Sequence, residues 1–500
     1  MRFLKQGRIR LHFAVLIILC CVFISSAVWG QDAYQKLSDT ENLVNKYPFV
    51  YAITNAAVIV GNGQTMNNAT IILKDGLIAD IGSRVEIPGE AVVIDASGMT
   101  VYPGLFDSHT SLGFASGGGG GSRGNFQAPQ TPQQGQRGGQ QQTEEPPPPL
   151  KREHDQNLRP DKSAADDINF NDSNFADAWS AGFTAVLSIN RQGVFPGKSS
   201  VILTHAEDPM LGILNNSSYQ FIQSSAVRGG YPQTLMAVIA FQRQGLLDAQ
   251  YYLDINNRMK NGKKGFPRMG YDPVIEDLFP VVAGDETVII PASTEMEIKS
   301  AVDLAKQFNL KYMLSGVTEG YRVLDLLKSE KVPVILSVNY PRARSTTGYA
   351  FNMPFTPYEP TPPPGGVRQG RGGTDPAAEL DERINGQLHG NALTLHEAGI
   401  PFVFTSGGSY DNFLENIRLA VKAGLPEDVA LAKMTTEPAK MFGVSDVIAT
   451  VEKGKIANLV ITDGNIFGEN TVIKNVFVDG KKVELKESSA SPAQRAGRGR

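Results

Sequence analysis

The chain has 500 residues, is 41% hydrophobic and 20% charged, and carries a formal net charge of −4. That length can bury a large core or support two domains, and the near-neutral balance gives no general pull toward nucleic acid or anionic lipid. Both cysteines, Cys20 and Cys21, fall in the first apolar run, so the chain beyond it can form no disulfide.

Arg2, Lys5, Arg8 and Arg10 open the chain, an apolar run covers residues 11–28, and small residues lead to Gly30. This order predicts an export signal over residues 1–30, cleaved near Gly30–Gln31, and hence a periplasmic or extracellular protein. The alternative is an uncleaved membrane anchor, because the run approaches the ~20 residues that span a bilayer. No small-residue lipobox precedes Cys20, and contact with a membrane is expected only through this segment.

From residue 48 to 103 short apolar runs alternate with turn residues, and Asp75-Gly76 supplies the positive φ of a tight hairpin. Residues 115–165 and 341–381 are rich in Gly, Gln and Pro. They are predicted to be disordered insertions, as is the polar tail 487–500, because they cannot bury enough apolar surface to offset the entropy of ordering. The RGG-like triplets at Arg137, Arg371 and Arg498 lie in these segments and read as solvated linker, so no nucleic-acid partner is expected. Between 104 and 445 strands and helices alternate. Strands are predicted at 183–189, 287–291, 310–314, 332–336 and 401–405. Thr294 and Glu297 form a capping box that opens a helix with Ile298, Ala301, Val302 and Ala305 on one face. Further helices carry Val323, Leu324 and Leu327, or begin at Asn412 and Asp428. Such repeats predict an α/β body of parallel strands with right-handed crossovers. Residues 446–486 return to strands and are expected to join 48–103 in one composite β-sandwich.

Val101-Tyr102-Pro103-Gly104-Leu105-Phe106-Asp107-Ser108-His109 resembles the first-strand motif of the amidohydrolase superfamily. Thr435-Thr436-Glu437-Pro438-Ala439 resembles that family's threonine–proline–alanine helix start. The segment 451–460 resembles its return into the sandwich, with Asn458 where Asp is more usual. The middle, 308–336, is similar to the imidazolonepropionase-type branch. The resemblance implies a (β/α)8 barrel over 104–445 beside a β-sandwich built from both ends. It also implies hydrolysis of non-peptide C–N bonds, often in cyclic amides, by water activated on one or two metals at the carboxyl ends of the strands.

Carried over residue by residue, the metal site is thin. His109 holds the first histidine place, but Ser111 holds the second, and serine is a poor substitute for imidazole at a zinc-type site. Pro291 stands where related chains place a histidine, and Gly407 stands where the late strand supplies an aspartate. His109 and Asp107 remain as candidate metal ligands, weighed against a structural role in which Asp107 caps a strand end. His205 ends a strand and is either a third ligand facing a barrel mouth or a rim histidine. Asp411 is either a replacement catalytic acid or a helix N-cap. His154 falls in an insertion, while His389 and His396 are expected to flank a helix and be exposed. No lysine can be assigned to the family's modified-lysine position.

Two function classes follow. One is a catalytically inactive binding or partner subunit, metal-free, paired with an intact amidohydrolase paralogue or with itself. The alternative is an active hydrolase with one divalent metal, zinc by preference, in a reduced or rebuilt site. A scaffold that recruits partners through its insertions is a third, lesser reading.

Overall fold

A computed structural model describes residues 50–114, 157–206, 209–216, 219–227, 231–262, 264–265, 272–340 and 376–486. The expected export signal at 1–30, residues 115–156 and 341–375 of the expected insertions, and the tail 487–500 lie outside them. Parts of both stretches expected to be disordered, 157–165 and 376–381, fall among the described residues. Residues 157–165 bridge from Leu158 to Phe195 and from Ser163 to Lys198, and the backbone from Pro376 onward is helical.

The first sheet begins with β1 (Val50–Ile59), β2 (Thr65–Lys74), β3 (Leu77–Gly82), β4 (Val92–Asp95) and β5 (Thr100–Pro103). The β2–β3 hairpin turns at Asp75 (φ 50) and Gly76 (φ 81), the left-handed pair its sequence predicts. Asn55 (φ 58) interrupts the register of β1. The residues before it pair in parallel with β4, and Ala57 and Val58 after it pair with β5, so the bulge lets one strand serve two partners.

At Gly104 the chain leaves this sheet for the α/β body. That body holds β6 (Leu105–Thr110), β7 (Phe183–Ser188), β8 (Gly197–Lys198), β9 (Ser200–Leu203), β10 (Ile213–Asn215), β11 (Gln220–Phe221), β12 (Thr287–Pro291), β13 (Lys311–Val317), β14 (Val334–Ser337) and β15 (Phe402–Thr405). They form a four-stranded sheet, β10-β9-β7-β6, and a six-stranded sheet, β15-β14-β13-β12-β11-β8. Pairings from β11 to β15 are parallel, as is β6 with β7. The expectation of uniformly parallel strands fails at β8, β9 and β10, which are antiparallel to their neighbours. The reason is the link from β7 to β9, which carries no helix; a parallel partner needs a crossover long enough to cross a sheet face.

The helix Glu295–Phe308 starts at the expected capping box and buries the expected face. Helix Leu235–Lys260 was not anticipated. His389 and His396, rather than flanking a helix, lie within one, Pro376–Glu397; His389 is half-buried against Tyr340 and His396 is exposed.

The chain finally rejoins the first sheet through β16 (Leu459–Thr462), β17 (Ile473–Val478) and β18 (Lys481–Lys482). β16 pairs antiparallel with β5, so the two ends of the chain share one sheet of order β18-β17-β16-β5-β1-β2-β3. Tyr51, Ile53, Val58, Leu459, Ile461 and Phe477 gather in an apolar cluster of its own. The carboxyl oxygen's usual place at residue 458 is taken by the Asn458 side-chain carbonyl, which accepts from the Asp479 N–H at 2.9 Å.

Candidate functional site

β6 is buried along its whole length and brings Asp107, His109 and Thr110 to its carboxyl end. Asp107 is fully buried and its carboxylate is occupied. Oδ1 accepts from Thr405 Oγ1 at 2.7 Å, from the Ser406 N–H at 3.0 Å and weakly from the His109 N–H at 3.4 Å, and Oδ2 accepts from Ser406 Oγ. Thr405 Oγ1 also lies 2.8 Å from the His109 carbonyl. These bonds tie the end of β15 to β6. Burial raises the Asp107 pKa, and the donors from Ser406 and Thr405 oppose that rise.

His109 is 6% exposed. Its Nδ1 meets Ser315 Oγ on β13, across the interior between the two sheets. Gly316 (φ 72) marks a register shift in β13 directly after Ser315. The imidazole packs edge-on to Phe221 at 5.4 Å, and its Nε2 is buried without a hydrogen-bond partner. Burial, helped by the Arg191 charge, holds its pKa well below 6.5, so the ring is neutral. Asp107 does not touch the imidazole, so Ser315 and His109 form no serine–histidine–aspartate relay.

Thr110 Oγ1 bonds the buried Tyr410 hydroxyl at 2.9 Å. Burial first, then the Asp107 charge, pushes that phenol's pKa up, so it stays protonated. Arg191 follows β7 on a loop held by the Ile189 N–H donating to the Thr110 carbonyl at 2.9 Å. Arg191 is exposed. Desolvation lowers its pKa, and the Asp107 charge opposes that fall.

The other sequence candidates separate. Ser111 is half-buried just beyond β6. Pro291 ends β12 in register with Ser315. Gly407 and Gly408 are exposed, and their N–H groups fold back onto Thr405 Oγ1 and Ser406 Oγ at 3.0 Å each. His205 is not at this mouth. Thr204 before it bonds back to Phe183 and Thr184, at the amino end of β7, and the His205 ring packs edge-on to Trp179 there. The antiparallel run of β9 carries it to that opposite end. Asp411 is exposed, and the helix Phe413–Lys422 is capped at Asn412 without a side-chain bond, so Asp411 is not its cap. Ser315, Thr405, Ser406, Tyr410, Phe221 and Arg191 were passed over in the sequence. The one signal was the polar ending of apolar strands, as in Leu314-Ser315 and Phe404-Thr405-Ser406.

A catalytic zinc site takes three protein ligands and an open position. Among the described residues no three His, Cys, Asp or Glu side chains converge to hold a metal ion. Nδ1 of His109 and both oxygens of Asp107 are already engaged. Among the described residues, this strand end does not offer the ligand set of a divalent metal.

Residues 378–483 match the family model described as amidohydrolase family. The chain is 35% identical over 99 residues to N-acetylglucosamine-6-phosphate deacetylase of Caenorhabditis elegans, covering 19% of this chain and 22% of that protein. It is 36% identical over 60 residues to 5-methylthioadenosine/S-adenosylhomocysteine deaminase of Pyrococcus furiosus, covering 12% and 14%. A solved amidohydrolase from Thermotoga maritima MSB8 is similar in fold, with TM-score 0.61 and 20% identity over 87% of this chain and 100% of that one. The stretch 378–483 is similar to the amidohydrolase family, and the chain as a whole is similar to that solved structure in fold. The matched stretch is under a quarter of either curated relative's length, so the likeness bears on the kind of fold and not on an activity. The family match includes the Gly407 position but not β6 with His109 and Asp107.

Proposed function

We propose that this chain is an exported amidohydrolase relative that has lost metal-assisted hydrolysis and works as a binding or partner subunit. The observation that carries this reading is the state of Asp107. Its oxygens are spent on Thr405 and Ser406, where a hydrolytic site would keep them for a metal or a water. Ser111, Pro291 and Gly407 support it, since each replaces a ligand or acid that the family resemblance expects. The partner would be an intact amidohydrolase paralogue or a second copy of this chain. We read the two body sheets as one distorted (β/α)8 barrel, supported by the β6–β15 bonds and by the single residue, Ser199, between β8 and β9. The terminal sheet is read as a sandwich folded around its own apolar cluster.

A second reading is favoured by one observation, the open Nε2 of His109. It is an active hydrolase with a rebuilt mononuclear site, acting on a C–N bond as the deacetylase and deaminase relatives would suggest. Elemental analysis of the protein from Gln31 onward, after growth with zinc, manganese and iron, separates the two. The expected result is less than a tenth of an equivalent of any metal, on the order set by adventitious binding. Stoichiometric metal that disappears in His109→Ala would establish the rebuilt site and end the metal-free reading.

A further inference from the structure

The helix Leu235–Lys260 is apolar on two faces. Inward it buries Val238, Leu246, Ala249 and Ile255. Outward stand Met236, Leu247 and Tyr251, 83%, 49% and 55% exposed. A helix that is apolar all round is ordinarily covered all round. Residues 236, 240, 243, 247, 251, 254 and 258 follow at steps of three or four, so they form one stripe along the outer face. Ala240, Arg243, Asp254 and Arg258 complete it, all exposed. Beside its first half runs a groove of about 380 Å³, lined by Ile239 and Arg243 on this helix and by Met296, Lys299 and Asp303 on the helix Glu295–Phe308. Met296, at its lip, is 80% exposed. Arg243 Nε donates to Gln307 Oε1 at 3.0 Å, which holds the guanidinium at the groove's edge.

We infer that this stripe seats a second copy of the chain, the two helices lying antiparallel with Leu247 on the twofold axis. The inference rests on the partner-subunit reading and chooses between its two partners. An isologous contact needs a stripe that complements itself. With Leu247 facing its own copy, Arg243 falls opposite the partner's Tyr251, Ala240 opposite the partner's Asp254, and Met236 opposite the partner's Arg258. Arg243 then meets an aromatic face and stands one turn from the partner's Asp254. The incoming tyrosine ring enters the groove that Arg243 borders. Arg258, paired with Asp254 of its own helix at 2.7 Å, lays its methylene stem along the facing Met236. Parallel helices would instead set Arg243 on Arg243 and Arg258 on Arg258. The helix has 26 residues and is about 39 Å long, so a contact along it with the Met296 lip buries on the order of 1,000 Å² in total. That area suits a reversible dimer with a dissociation constant on the order of micromolar.

The test is sedimentation velocity of the protein from Gln31 onward across a range of concentrations. A monomer–dimer equilibrium is expected. Leu247→Glu sets two carboxylates face to face on the axis and should weaken it by about tenfold or more, with circular dichroism showing that this exposed-site variant folds. Cross-linking fixes the register. Both native cysteines precede Gln31, so Leu247→Cys leaves one thiol per chain. Mild oxidation should join two copies through it, because a disulfide forms only where the Cβ atoms come within ~3.5–4.5 Å. Met236→Cys alone should not link, since its two copies stand ~33 Å apart along antiparallel helices, yet it should link when mixed with Arg258→Cys. A monomer at every concentration, a dimer indifferent to Leu247→Glu, or linkage of Met236→Cys as ready as that of Leu247→Cys would each overturn the proposal. Metal analysis of the same preparation keeps the two ideas apart. Stoichiometric metal in a dimer that Leu247→Glu dissociates removes only the metal-free reading. A metal-free monomer removes only this inference.

Discussion

Thr405 and Ser406 decide what Asp107 can do. A buried carboxylate that loses one donor keeps its desolvation cost, about 1–3 kcal/mol per missing bond. Ser406→Ala and Thr405→Val should therefore each destabilise the fold by roughly that amount in urea denaturation. Asp107→Asn with Thr405→Val should show coupling in a double-mutant cycle, and strict additivity would mean that the pair is not a unit. His109 gives a pH signature. Its folded pKa is depressed, so the unfolded chain takes up a proton below pH 6.5 that the folded chain refuses. The stability it contributes is present above pH 6.5 and is lost as pH falls from there toward the folded value. The unfolding free energy of the wild type should thus drop more steeply from pH 7 to pH 5 than that of His109→Asn; equal slopes would remove His109 as the cause. Asp107 acts with the opposite sign, its raised pKa eroding stability as pH climbs above 3.8. At this scale the sequence identified Asp107 and His109 as a pair worth watching, but not their partners. Ser315 lies 206 residues from His109, and no local pattern announces a contact across a fold.

Among elements, legibility followed periodicity. The helix at 295–308 carries both its start signal and its buried face in plain view, and Thr294→Ala should cost it ~1 kcal/mol. The longer helix 235–260 hides because its inner face includes Gln242 and Gly245 among the apolar residues. Gln242 is there to donate to the Gln223 carbonyl, and Gly245 because Phe195 comes within 2.9 Å of where a Cβ would stand. His205 was left between a barrel mouth and a rim for a different reason: strand direction is a property of the connection, and the chain between β7 and β9 gives no helical pattern to read. Gly104 joins the two sheets under the tightest constraint of all. A Cβ there would lie 2.0 Å from Thr184 Oγ1. Gly104→Ala should cost roughly 1–3 kcal/mol or more, and Thr184→Ala in the same chain should return part of it by removing the two closest atoms. A thermal melt of the three variants checks the order.

For the whole molecule, the distribution of β, α/β and β segments announced the architecture, and the joining of residues 48–103 with 446–486 in one sheet is what that order suggested. What it could not announce is which strand sits in the middle. β16 lies between β5 and β17, and Leu459, Val460 and Ile461 are fully buried. A chain ending at Lys455 would expose the edge of β5 and strip Ala457, Leu459, Ile461 and Phe477 from the apolar cluster around Ile53. It should lack a cooperative unfolding transition by circular dichroism, and a sharp melt near that of the full chain would show that the first sheet stands without its last strands.

The meeting of β5 and β16 also sets a clock. Thr462 reaches back to the Thr100 carbonyl across 362 residues. At ~5–20 residues per second of synthesis, the edge of β5 waits on the order of tens of seconds for its neighbour to be made. An unpaired edge held open that long is a template for the wrong strand. The newborn chain should therefore depend on a holding chaperone until the last tenth of it has been made.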